Sequence, residues 1–181
     1  MGFEIRIINL HWMQGDKDDP IDECLHGNVF VRIGDEILDD GSIGDWTVSV
    51  GAFRMLESLL DDRIEGEYML PCDGFCMQYS KYEGVYFICG VDGIHWTVEH
   101  DSDKSTVKLV SKGNTFLPKT NRAEVTIPFA DYERAIHAFA DEIKAFYDAC
   151  SPKEPPDNPA CLGAYQIFWE HWEKMRNGER P

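Results

Sequence analysis

Residues 68–100 read YMLPCDGFCMQYSKYEGVYFICGVDGIHWTVEH, and this stretch decides the fold. Asp73-Gly74 separates YMLPC from FCMQY as a two-residue hairpin turn, because both positions tolerate positive φ. Residues 85–89 form a further strand, GVDG turns the chain, and 94–99 return. In that last strand Ile94, Trp96 and Val98 alternate with His95, Thr97 and Glu99, the period of a sheet with one buried face. Residues 106–110 and 123–127 continue the alternation on either side of the basic loop SKGNTFLPKTNR. Upstream, 3–9 place Phe3, Ile5 and Ile7 opposite Glu4 and Arg6, and 28–33 with 36–38 give two more short strands about Gly34-Asp35.

Three helices complete the pattern. Residues 47–61 carry Phe53, Leu56, Leu59 and Leu60 on one stripe, with Thr47 or Ser49 placed to cap the start. Residues 129–150 repeat Tyr132, Ile136, Phe139, Ile143 and Phe146 at spacings of four and three. The segment 151–160, SPKEPPDNPA, cannot continue a helix through its prolines and reads as a spacer. A last helix over 162–176 bears Tyr165, Phe168, Trp169, Trp172 and Met175, a stripe suited to docking on the core. The expectation is a single α+β domain over 1–181. Its antiparallel meander has about six to eight strands, with one face covered by two or three helices.

The chain has 181 residues, 43% of them hydrophobic and 12% aromatic, enough for a substantial core. Its net charge is −16. Residues 1–65 hold 15 acidic and 5 basic groups and so carry −10 of that total. Such a surface repels a phosphate backbone and an anionic membrane, so neither nucleic acid nor membrane is expected as a partner. MGFEIRIINL lacks the apolar core of a secretory signal, which makes a reducing cytoplasm the expected compartment. The six cysteines then read as thiols rather than a disulfide framework. The oligomeric state is not legible.

Two regions compete as sites. The acidic loop HWMQGDKDDPIDECLHG lacks the glycine and the closing Glu of an EF-hand, so calcium is not its chemistry. It reads as a solvated face or as a docking surface for a basic protein. The contacts expected for docking are Asp16, Asp18, Asp19, Asp22, Glu23, Asp39 and Asp40, with Trp12 and Trp46 as aromatic anchors if exposed. The other region holds Cys72, Cys76, Cys89 and His95, whose donor types suit zinc but whose spacing matches no two-by-two zinc pattern. Extended backbone would put Cys72 and Cys76 roughly 13 Å apart, and only a reversal at Asp73-Gly74 joins them. These thiols read as core packing, and no metal or other cofactor is expected; a metal-binding or enzymatic domain centred on them is the alternative. His137, a turn from Glu133 and from Asp141, reads as part of a charged helix face. No phosphate-binding glycine loop or nucleophile elbow occurs, so catalysis has no specific signal.

The segments YMLPCDGF, CGVDGIHWTVEH, IPFADYERAIHAFADEIKAFY, SPKEPPD and FWEHW resemble a set of bacterial proteins of unknown function, over most of the chain from Thr47 onward. That resemblance implies a fold and transfers no catalytic residues. The small acidic form is also similar to immunity proteins of bacterial toxin systems, which implies a protein that blocks a cognate toxin by binding it.

Overall fold

The computed structural model describes residues 2–15, 17–64, 68–72, 77–80, 84–87, 92–117, 122–154 and 159–181. The class is α+β, as the periodicities require. The first sheet holds β1 (Phe3–His11), β2 (His26–Ile33), β3 (Glu36–Asp40) and the short β4 (Trp46–Thr47). β1 runs antiparallel to β2 from Phe3↔Ile33 to His11↔His26, with a bulge between Ile7 and Asn9. Val29, Val31 and Ile33 are fully buried on the inner face. Gly34 turns β2 into β3 at a φ of 59° and donates its N–H to the Gly2 carbonyl.

The second sheet has the order β10-β9-β8-β5, built from β5 (Leu70–Pro71), β8 (Gly93–His100), β9 (Thr106–Asn114) and β10 (Glu124–Pro128). Its inner face is Ile94, Trp96, Val98, Val107 and Leu109, all fully buried. β6 (Met77–Ser80) and β7 (Gly84–Phe87) pair only with each other, as a ribbon against the last helix. The alternation through 68–100 predicts one continuous meander, and the strands divide differently. Among the described residues β5 pairs with β8, Leu70 opposite Ile94, and not with β6. The expected turn at Asp73-Gly74 lies outside the described residues.

Three helices, α1 (Val48–Leu60), α2 (Phe129–Ala149) and α3 (Pro159–Arg176), pack on these sheets, and α1 touches both of the others. Neither Thr47 nor Ser49 makes the side-chain cap expected of α1. Ser49 lies inside the first turn, where its hydroxyl accepts the Leu25 N–H at 3.2 Å. α2 likewise starts without a side-chain cap; its Phe129 N–H goes to the Ser105 carbonyl, which satisfies a donor that a helix end otherwise leaves free. The stripe read on α2 is buried at Tyr132, Ile136, Phe139 and Ile143, and that on α3 at Phe168, Trp172 and Met175. A single cluster of buried side chains runs from Ile5 and Trp12 through both sheets to Met175. Among the described residues no helix is long and apolar enough to cross a membrane.

Candidate functional site

The loop 12–25 leaves β1 and is held by its own carboxylates. Trp12 and Gly15 exchange backbone hydrogen bonds at 3.0 and 2.8 Å, closing a tight turn. Asp22 accepts the Met13 N–H at 2.7 Å and the Cys24 N–H at 3.3 Å, spanning the loop. Asp19 accepts the Ile21 N–H, and Lys17 reaches it at 3.2 Å; together these hold its carboxyl below the usual range.

The loop is also tied to the far end of α2. Lys153 donates to Asp18 at 2.6 Å and to the Asp19 carbonyl at 2.9 Å, and its ammonium lies 3.4 Å above the centre of the Trp12 ring. The Ser151 N–H completes the clasp on Asp18 at 2.7 Å. The Lys153 contact, then the Ser151 N–H, lowers the Asp18 carboxyl to about 2. Glu154 N–H meets the Pro20 carbonyl at 2.7 Å. On the inner side Tyr147 of α2 packs edge-on to Trp12, donates its hydroxyl to the Glu23 carbonyl and accepts the Leu25 N–H at 3.1 Å. This lets a loop rich in like charge keep one shape.

The placements correct several expectations. Trp12 and Trp46, expected as anchors if exposed, are 2% and 0% exposed and belong to the core. Trp12 is the floor under Lys153, and the Trp46 Nε1–H donates to Asp39 at 2.5 Å. Asp39 is itself fully buried and also accepts the Gly41 and Ile43 N–H groups, so it cannot meet a partner. Asp40 is exposed and holds Ser42 through its hydroxyl and N–H. Asp18, Asp19 and Asp22 are partly exposed but engaged within the loop. Glu23 is partly buried, and its Oε1 has no hydrogen-bond partner among the described residues. Asp16 lies outside the described residues.

Sequence reasoning missed Met13 and Ile21. Both stand on this loop at 67% exposure, the most exposed of the large hydrophobic side chains among the described residues. A signal existed: they are apolar residues in a polar loop, with no strand or helix period to turn them inward.

The cysteine region gathers no site among the described residues. Cys76 and Cys89 lie outside them; Cys72 and His95 are half-buried. His95 packs edge-on to Tyr68, and burial first, then Lys112, Arg63 and Arg54, lowers its pKa. That cationic setting opposes a second positive charge. Among the described residues no three His, Cys, Asp or Glu side chains meet in a metal-binding arrangement. The His137 face is likewise structural, since Arg176 takes Asp141 with two bonds of 2.7 and 2.8 Å and clasps α3 to α2.

Two open clefts flank the helices. One, of about 430 Å³ at the end of α1, is lined by Glu57 and Arg63, paired at 2.5 Å, and by Asp61 and Arg180, also at 2.5 Å. The other, of about 330 Å³, lies between the end of α2 and α3, beside Lys153, with Tyr147, Tyr165 and Trp169 as its aromatic wall. The cations in them already face internal carboxylates, so neither offers an unmatched positive charge to a small ligand. No family model matches the chain, and no curated protein or solved structure matches it either.

Proposed function

We propose that this protein is a non-enzymatic binding module of the immunity type, acting in the bacterial cytoplasm, whose N-terminal loop captures a basic partner protein. The carrying observation is the pair of projecting side chains, Met13 and Ile21, on a loop hydrogen-bonded into one shape and set in the most acidic third of the chain. Apolar anchors supply affinity once desolvated, and a surrounding field of one sign selects an oppositely charged partner and speeds encounter. Loop carboxylates that are satisfied internally still contribute to that field. The anchoring role expected of Trp12 and Trp46 if exposed passes to Met13 and Ile21.

The test is capture from an extract of the native host, with bound proteins identified by mass spectrometry. Wild type and a control variant, Glu170→Lys on α3, are expected to retain the same basic protein, released by salt. Met13→Asp with Ile21→Asp should lose it while keeping the wild-type circular dichroism spectrum. Retention of the same basic protein by the double variant, or retention of none by wild type, overturns the proposal.

A further inference from the structure

Glu23 lies where the loop 12–25 meets Tyr147 of α2. Its backbone is clamped, because Tyr147 donates to its carbonyl and receives the N–H of Leu25 two residues on. Its side chain is not: Oε1 is buried and no donor reaches it among the described residues. Asp22 beside it in the loop acts on its charge, the Tyr147 hydroxyl of α2 holds its carbonyl, and its charge is felt at Tyr165 of α3. None of these is a cation. The charge that acts on it is the like charge of Asp22. Asp22 cannot swing away without releasing the Met13 and Cys24 amides that it holds. A neutral carboxyl fits this seat, and an ionised one leaves Oε1 buried beside an anion with no donor among the described residues.

We propose that Glu23 is a protonation-controlled latch for the loop: uncharged, it stays seated against α2, and ionised, it drives the 22–25 end of the loop to open from Tyr147. Burial, with the Asp22 charge adding to it, pushes the Glu23 carboxyl up to about 7. The Tyr165 hydroxyl is raised by burial first and further by the Glu23 charge. In the open loop Glu23 titrates near its ordinary value of about 4.3. Between roughly pH 4 and 7 the open form therefore releases a proton that the closed form keeps, and opening gains up to about tenfold per pH unit. Above 7 both forms are ionised and the gain levels off. Solvent reaching this partly exposed carboxyl lowers the factor below that limit. The clasp at the other end of the loop has the opposite sense. The Lys153 contact holds the Asp18 carboxyl at about 2, so the clasp stays formed throughout this window and the Glu23 end is the one that moves.

The consequence for capture rests on the docking role proposed above, but the latch does not. Its test reads the loop alone, and a failure to find any partner leaves it intact. Amide hydrogen exchange of the loop, corrected for the intrinsic pH dependence of exchange, is measured from pH 5 to 7.5 in wild type and in Glu23→Gln. Wild-type loop amides are expected to lose protection by about 10- to 100-fold across that range. Glu23→Gln, isosteric and uncharged, should keep its protection nearly flat. A carbon-13 carboxyl titration of Glu23 in the unmodified chain needs no variant and should show a midpoint near 7. Matching exchange profiles for the two proteins, or a midpoint near 4.3, overturns the latch.

Discussion

The ammonium of Lys153 is 2.6 Å from Asp18 Oδ1, 2.9 Å from the Asp19 carbonyl and 3.4 Å from the Trp12 ring centre, on a side chain only 2% exposed. Desolvated contacts of this kind depend on one another, since the ring and the carboxylate together replace the water that the ammonium has lost. Lys153→Met keeps the packing against Trp12 and removes the charge, and Asp18, which is partly exposed, rehydrates. The expected loss at neutral pH is about 1–3 kcal/mol of unfolding free energy, read by urea denaturation. Asp18 has a lowered carboxyl, so its contribution is fully present above the ordinary 3.8 and disappears as the pH falls through about 2. Wild type and variant should thus differ equally at pH 7 and pH 5 and converge near pH 2. A gap unchanged at pH 2 would assign the loss to the contacts that do not titrate, with the Trp12 ring and the Asp19 carbonyl. Little of this was legible in the chain. Asp18 and Lys153 are separated by 135 positions, and nothing local to HWMQGDKDD reports that a lysine from a proline-rich spacer will cover Trp12. The acidic loop was readable as a unit, but the division of its side chains into those that face inward and those that face a partner was not.

At the scale of elements, α1 shows why a local rule can point the wrong way. Gly51 in a helix interior costs about 1 kcal/mol relative to Ala on propensity alone. Yet a Cβ at Gly51 would stand 2.4 Å from Leu70 Cδ2 and 3.1 Å from the Met69 carbonyl, because α1 passes directly over β5. Leu70 is fully buried and has little room to yield. Gly51→Ala is therefore expected to destabilise by about 1–2 kcal/mol net, overpacking outweighing the helical gain. Gly163 in α3 is the matched control, with nothing among the described residues within 4 Å of the place a Cβ would take and no positive φ. Gly163→Ala should stabilise by about 0.5–1 kcal/mol. Equal signs for the two in thermal or urea unfolding would remove the close-approach argument. The same contrast marks what the sequence could reveal about elements. The periods of Tyr132 to Phe146 and of Ile94 to Val98 place a helix and a strand, because each residue's partners lie within one turn or one pleat. Which strand lies beside which is a long-range matter, so the nearness of YMLPC to FCMQY in the chain suggests a hairpin, whereas Leu70 pairs with Ile94. The cap expected from Ser49 fails for a related reason: the Leu25 amide, from a distant loop, takes its hydroxyl.

For the molecule as a whole, 33 acidic and 17 basic side chains set folding against self-repulsion, and that imbalance shows itself in the response to salt. A net charge of −16 on one compact chain destabilises it relative to the expanded state, where like charges lie farther apart. The opposing surface pairs, such as Arg176 with Asp141 and Arg180 with Asp61, are exposed or nearly so and each contributes at most about 1 kcal/mol. The Lys153 clasp is more secluded and is screened least. Raising sodium chloride from 10 to 300 mM shortens the Debye length from about 30 Å to under 8 Å, which removes most repulsion between distant carboxylates while close pairs lose less. The thermal midpoint should therefore rise with salt, by about 2–4 °C if the relief amounts to about 1 kcal/mol in a chain of this size. Capture of a basic partner moves the other way, since the same screening weakens attraction between opposite surfaces. The two responses have opposite sign in one buffer series, so a midpoint that falls with salt would show that the ion pairs outweigh the excess charge, and the acidic field would then be too well compensated to select a partner.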